Sequence, residues 1–406
     1  NVSLDYAEDG TIKSVTPKEN APKVIKKRII KDLDKCHYPE KFVVPFIEIV
    51  HDRAVAEVFR GCIRGCRFCQ AGFIYRPVRE KTAETVIEQA KELLKNTGYD
   101  EMSLLSLSTS DYCEINKLLS GLLDYTEQKR LSLSLPSLRI DNFPKELLEK
   151  VQSVRKSSLT FAPEAGTQRL RDVINKNLQE EDLLNACTVA FKAGYNSVKL
   201  YFMMGLPTET DEDLLGIPNI VRNVQWAFKQ HAKNKARGLR INVSVSTFVP
   251  KAQTPFQWLG QITAEEAARR KEVLMQSLNI KGVTYSIHEY KTSFLEAVLA
   301  RGDRRLSAVL ERAWQLGCRL DGWEENFNFD AWMQAFADTG VDPAFYANRE
   351  LAEDEVLAWD HISSGVTKCY LRSELVQAQN GIATPDCKAG CRNCGALSLT
   401  GGKCDV

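Results

Sequence analysis

The chain has 406 residues, 44% of them hydrophobic, which is enough for a sizeable core. Its 54 Lys and Arg nearly cancel 53 Asp and Glu, so a net charge of +1 leaves no electrostatic footprint for nucleic acid or a membrane surface. No apolar run reaches the ~18 residues of a spanning helix, and twelve cysteines, mostly in two tight clusters with no secretion signal, point to metal ligation in a reducing cytoplasm.

Taken in chain order, residues 1–40 read as an N-terminal extension, with two short β-prone runs flanking Glu8-Asp9-Gly10; the stretch is expected to be the tail of a domain lying upstream. From 41 to 290 short β-branched runs alternate with helical patterns. Predicted strands are Phe42–Val50 with Ala54–Phe59, Glu101–Leu107, Leu131–Pro136, Ser158–Ala162, Ser197–Met203, Ile241–Val249 and Val283–Ile287. Predicted helices cover 82–97, 111–128, 143–152, 179–193, 210–230 and 263–279, the first and fourth ending at the C-terminal cap residues Gly98 and Gly194. Parallel neighbours need helical crossovers, so this alternation implies an α/β fold, a full or partial β/α barrel that binds ligands at the C-terminal ends of its strands. Residues 291–368 turn helical and aromatic-rich, and 369–406 are Cys- and Gly-rich, a small metal-binding tail.

The first cysteine cluster follows directly on the first barrel strand, as Arg60-Gly-Cys62-Ile-Arg-Gly-Cys66-Arg-Phe-Cys69-Gln-Ala-Gly72. Spacings of four and three let one compact loop offer Cys62, Cys66 and Cys69 to a [4Fe-4S] cube and leave one iron without a protein ligand. That iron is open to chelate the amino and carboxylate groups of S-adenosylmethionine (SAM). A structural zinc site would want a fourth Cys or His nearby, and the loop offers none. Phe68 suits a side chain packed beside the adenine.

This loop resembles the CxxxCxxC signature of the radical SAM superfamily, in the branch shared by methylthiotransferases and Elp3-like enzymes. Residues 20–395 are most similar to the B12-binding-domain radical SAM proteins. The shared motifs are Glu48-Ile-Val-His-Asp-Arg, Tyr75-Arg-Pro-Val-Arg-Glu80, Leu135-Pro-Ser-Leu-Arg-Ile-Asp141 and Ala162-Pro-Glu-Ala-Gly-Thr167. The resemblance implies an enzyme that reductively cleaves SAM to modify an unactivated carbon, with cobalamin-assisted methylation as one form. It also implies an upstream cobalamin-binding-like domain, a downstream partner domain and an electron donor of flavodoxin or ferredoxin type. No Asp-x-His-x-x-Gly cobalamin motif occurs in these residues, so cobalamin would come through another domain. A methylthiotransferase-like RNA modifier is the alternative, weakened by the near-neutral charge; a non-catalytic iron–sulfur scaffold is a third reading.

By the same resemblance, polar residues after successive strands hold SAM. Ser106 and Ser108 follow the second strand, Ser137 and Arg139 the third, and Glu164 the fourth, where it is the expected acceptor for ribose hydroxyls. Arg169 or Arg171 is expected to clamp the SAM carboxylate, and the backbone at Gly205 after the fifth strand to lie near the adenine. Lys251, His51, His288 and Tyr75-Arg76 carry weaker signals.

The second cluster, Cys387, Cys391 and Cys394, repeats the four-and-three spacing without a preceding barrel strand, and Cys404 stands ten residues on. These thiols suit a second [4Fe-4S] cluster or a zinc ion, with Cys369 a spare fourth ligand. Cys36, Cys113, Cys187 and Cys318 read as ordinary buried thiols.

Overall fold

Alternating apolar positions in the β-branched runs give, among the described residues, two parallel sheets of three and four strands that keep chain order. The computed structural model describes residues 2–134, 159–236 and 238–402. An antiparallel hairpin comes first, β1 (Val2–Tyr6) with β2 (Ile12–Pro17), turning at Gly10. The first parallel sheet has the order β3 (Ala54–Glu57), β4 (Glu101–Leu105) and β5 (Ser132–Ser134). The second holds β6 (Leu159–Glu164), β7 (Ser197–Met204), β8 (Arg240–Thr247) and β9 (Val283–Ile287), each paired in parallel with the next. Helices cross over between them: α1 (Ala83–Thr97), α2 (Ile115–Lys129), α3 (Gln168–Val173), α4 (Glu180–Lys192), α5 (Asp211–His231) and α6 (Ala264–Ser277). The parallel α/β fold class is thus the one the alternation called for. No described helix is long and apolar enough to cross a membrane.

Each sheet has its own apolar core. Ala56, Met102, Leu104 and Leu133 pack under Val86, Leu93, Leu118 and Leu122 in the first, and Leu200, Phe202, Val243 and Val245 under Leu183, Phe191, Ile220 and Val224 in the second. A further cluster joins Phe73, Leu170, Leu206, Phe248 and Phe256 to Leu371 and Leu375 of a late helix, α10 (Lys368–Gln379). Between β9 and α10 lie α7 (Tyr290–Arg301), α8 (Leu306–Gln315) and α9 (Phe329–Thr339), which bury Val298, Val309, Trp332 and Phe336 together. The N-terminal hairpin rests beside them, where Arg305 donates to the Gly10 carbonyl at 3.0 Å and lies 4.2 Å from the Tyr6 ring.

Two expectations need correction. Phe42–Val50 forms no strand and leaves Val43, Phe46 and Val50 almost fully exposed. Pro45 cannot donate to a ladder, and the first sheet starts only at Ala54. Cys113 is exposed rather than buried, with its thiol on the Glu80 carboxylate. The predicted helix over 143–152 lies outside the described residues.

One close approach fixes the turn after β6. A Cβ on Gly166 would lie 2.6 Å from the Ile217 nitrogen, and one on Gly216 would lie 2.5 Å from the Gly166 oxygen, so α5 touches this turn backbone to backbone. Gly166→Ala is therefore expected to cost about 1–3 kcal/mol of stability through overpacking. Urea unfolding measures it, and an unchanged midpoint would show that the contact is slack.

Candidate active site

The cysteine loop is closed at its base by a two-residue antiparallel ladder, Phe59–Arg60 against Arg79–Glu80. Gly61 enters the loop at φ +95°, and a Cβ there would sit 2.8 Å from the Pro77 oxygen. Between these limits only a four-residue helical turn, Ala71–Ile74, is regular, so side-chain bonds must hold the rest.

Arg67 supplies most of them. Wholly buried between Cys66 and Phe68, it donates to Glu374 of α10 at 3.0 Å, to the Asp172 and Val173 carbonyls at 3.1 and 2.9 Å, to the Ile382 carbonyl at 2.8 Å and to Thr384 Oγ1 at 3.1 Å. Asn175, also buried, donates to the Gly65 carbonyl at 3.0 Å and accepts from the Thr384 backbone at 2.8 Å. Arg64 reaches Asp111 with Nε at 2.9 Å and Asp386 with Nη1 at 3.1 Å. Loop, third helix and C-terminal segment are thereby tied together.

The three thiols share one electrostatic environment. Burial pushes Cys62 up to about 12, with the neighbouring Cys66 and Cys69 adding to the rise and a backbone N–H of Arg64 opposing it. Cys69 is raised by burial and by Cys66, against backbone N–H groups of Gly72 and Ala71 and the charge of Lys176. Three thiols that feel one another, each of two receiving backbone donors, form a donor set suited to an iron–sulfur cube. Among the described residues no three His, Cys, Asp or Glu side chains converge as around a single metal ion. A four-iron cube spreads its thiolates more widely than one ion does.

Beside Cys69 stand Phe68, Lys176 and Glu164. Lys176 Nζ lies 6.0 Å from the Phe68 ring and 3.1 Å from Glu164 Oε1. Glu164 ends β6 with φ +68°, paired with Phe202 of β7 just past a register shift in the ladder. Ser108 donates to Asp111 at 2.6 Å, and Ser106 shares a 2.8 Å bond with Thr109, so both sit in the segment that meets Arg64.

Other sequence candidates lie differently. Arg171 is buried and donates to the Ala165 carbonyl and Gln168. Arg169 is half exposed and held by Asp213 and Thr208. Gly205, at φ +78°, faces a cavity of about 450 Å³ lined by Glu209, Phe248, Phe256, Arg270 and Leu375, with none of the first three cysteines on its wall. Lys251 pairs with Glu296. Ser137, Arg139 and Cys404 lie outside the described residues.

Lys176 and Asn175 were not singled out from the sequence. Their signal is the run Asn175-Lys-Asn177 just past a helix, where both asparagines take positive φ, the conformation asparagine tolerates best after glycine.

Arg67→Ala leaves Glu374 buried without its partner and is expected to cost about 3–5 kcal/mol. In a double-mutant cycle with Glu374→Ala the two losses should be far from additive; additive losses in urea melts would separate the pair. A second prediction concerns Glu209, which donates nothing and accepts from Gly205 N at 2.7 Å and from Arg270. Burial raises its carboxyl to about 7 from 4.5, against those bonds. A raised carboxyl stabilises the fold below about pH 4.5 and loses that contribution as pH climbs through 7. Glu209→Gln should therefore flatten the fall in melting temperature over this window, by at most about 3 kcal/mol. A wild-type slope in the variant would remove Glu209 as its source.

Comparison with known proteins adds the following. Residues 56–218 match the Radical SAM superfamily. An uncharacterised protein of Methanocaldococcus jannaschii is 29% identical over 344 residues, covering 82% of this chain and 73% of that protein. The tRNA-2-methylthio-N(6)-dimethylallyladenosine synthase of Desulforamulus reducens is 24% identical over 240 residues, 56% of this chain and 48% of the synthase. Among solved structures, the radical S-adenosylmethionine methyltransferase TsrM from Kitasatospora setae, with cobalamin and a [4Fe-4S] cluster bound, aligns at 12% identity and a TM-score of 0.38. That alignment covers 47% of this chain and 36% of TsrM. The chain thus spans about half or less of the synthase and of TsrM.

Proposed function

We propose that the chain, which matches the Radical SAM superfamily over residues 56–218, is a radical SAM enzyme in which Cys62, Cys66 and Cys69 hold the cluster while Phe68, Glu164 and Lys176 bind SAM. The observation that carries this reading is the gathering of those three side chains beside Cys69. When bound, the cluster supplies the electron that breaks the C–S bond of SAM.

The chain's own residues do the rest. Backbone N–H groups at Arg64, Ala71 and Gly72 donate to the thiolates and offset their charge. Phe68 offers an apolar flank to the adenine, and Glu164 accepts from ribose hydroxyls. Arg171 is committed to Ala165 and Gln168, and Arg169 to Asp213 and Thr208. Lys176, whose charge reaches Cys69 and which pairs with Glu164 at 3.1 Å, is the cation assigned to the SAM carboxylate. Ser106 and Ser108 offer the small polar groups that meet the amino group.

The acceptor is an unactivated carbon, and the finer reading is methylation assisted by cobalamin held outside these residues. Methylthio transfer to RNA is the second reading, favoured by the 24% identity to the tRNA-modifying synthase. Anaerobic turnover with dithionite distinguishes them from a scaffold: 5′-deoxyadenosine or S-adenosylhomocysteine should form, and Cys66→Ala should abolish both. Glu164→Ala and Lys176→Met should each weaken SAM binding by about 1–3 kcal/mol, the range for losing a charged hydrogen bond. Turnover persisting in a Cys62/Cys66/Cys69 triple alanine variant would end the proposal.

A further inference from the structure

The second cysteine triplet is anchored at both ends. Asp386 caps the turn Cys387–Ala389, accepting from the Lys388 and Ala389 backbones at 3.0 and 3.4 Å, and its other oxygen meets Arg64 of the first loop at 3.1 Å. The Cys387 N–H donates to the Ile63 carbonyl at 3.2 Å, again in the first loop, and Lys388 Nζ donates to the Asp111 carbonyl at 3.0 Å. At the far end the Cys394 carbonyl accepts from Thr367 N, the residue that caps α10, at 2.9 Å. Gly395 follows at φ +96°, where a Cβ would lie 2.6 Å from Thr367 Cγ2. Only Cys391, in the middle, is exposed, and its sulfur accepts from Asn393 N at 3.4 Å.

A buried cation stands against this triplet. Arg76 is 3% exposed. Its Nε donates to the Gly72 carbonyl at 3.0 Å and its Nη2 to the Arg64 carbonyl at 2.9 Å, both within the first loop. Its Nη1 has no hydrogen-bond partner among the described residues. The guanidinium also faces Tyr370, with which it shares a side-chain hydrogen bond, and Cys394 and Cys387. A guanidinium hydrogen buried without an acceptor costs free energy and asks for a ligand, and the two protonated thiols beside it are poor acceptors. Metal-bound thiolates and cluster sulfides are good ones.

We propose that Cys387, Cys391 and Cys394 hold a second iron–sulfur cluster against the first cysteine loop, with Arg76 between the two centres and its Nη1 hydrogen donated to the second. Arg76 is then a positioning residue for both: two of its nitrogens hold the first loop's carbonyls, and the third serves the neighbouring cluster.

The test uses the full chain, reconstituted anaerobically with iron and sulfide. A Cys62/Cys66/Cys69 triple alanine variant should keep about four irons per chain and a reduced-cluster electron paramagnetic resonance signal. Adding Cys387→Ala, Cys391→Ala and Cys394→Ala should remove both. Cys391→Ser alone, at the exposed position, should change the signal without unfolding the tail. In the first-loop variant Arg76→Gln should move the midpoint potential to more negative values, since a nearby positive charge favours the more negative reduced cluster. Zinc in place of iron, or a folded first-loop variant that binds no iron, overturns the assignment; an unmoved potential overturns the part given to Arg76. The readout comes from a variant that cannot cleave SAM, so failure of SAM chemistry and failure of the second cluster are distinguishable.

Discussion

Arg67 is the interaction on which the rest of the site depends. A guanidinium with no exposure is expensive to desolvate, and burial pulls its affinity for a proton down while Glu374 pushes it back up. What makes the arrangement tenable is that its donors are satisfied: one carboxylate, three carbonyls and one hydroxyl surround it. Those acceptors belong to a helix end, to α10 and to the strand of chain just beyond α10. A loop with almost no regular structure thus takes its shape from elements that lie up to 317 residues away. A buried pair of this kind adds little net stability over an apolar substitute, but it permits only one register.

The consequence is that the C-terminal segment forms a wall of the first cysteine loop. Thr384 is bonded to Arg67, to Asn175 and to Glu374, and Asn177 donates to its carbonyl at 3.1 Å. Asp386 and Cys387 continue the same wall along Arg64 and Ile63. Apart from the Thr384–Glu374 bond, each of these contacts joins residues from opposite halves of the chain, and such contacts bear the entropy of closing a long loop before they return any stabilisation. The shape of the loop therefore depends on α10 and the segment beyond it being in place.

How much was legible from the sequence follows from the range of the forces involved. Strands such as Ser197–Met204 alternate buried and half-buried positions without fault, and α1 ends where Gly98 takes the left-handed conformation, because those features are decided within a few residues. The Cys62/Cys66/Cys69 loop is local in the same way, since its own spacing suggests the chemistry proposed for it. Phe42–Val50 misled because β-propensity reports only a fit to a sheet surface, and no sheet neighbour exists there. Arg169 and Arg171 show that charge says nothing of partners; one is paired with Asp213, the other bonded to the Ala165 carbonyl. Glu374 as the partner of Arg67, and Lys176 beside Cys69, depend on packing between distant elements and have no local trace beyond the asparagines around Lys176.

Burial and charge at the first loop work against each other in a way that defines the site. With Cys62 pushed up to about 12 by burial, an isolated thiolate there is strongly disfavoured. Holding a cluster requires all three thiols to lose their protons, so the negative charge must be met by something other than water. The structure meets it with cations that are already fixed: Arg64 through Asp111 and Asp386, Arg67 through Glu374, Arg76 through the loop's own carbonyls, and Lys176 through Glu164. Three of these four cations are paired with a carboxylate, whereas Arg76 is held by the Gly72 and Arg64 carbonyls and by Tyr370. Arg76 is also the one of the four that borders Cys387 and Cys394.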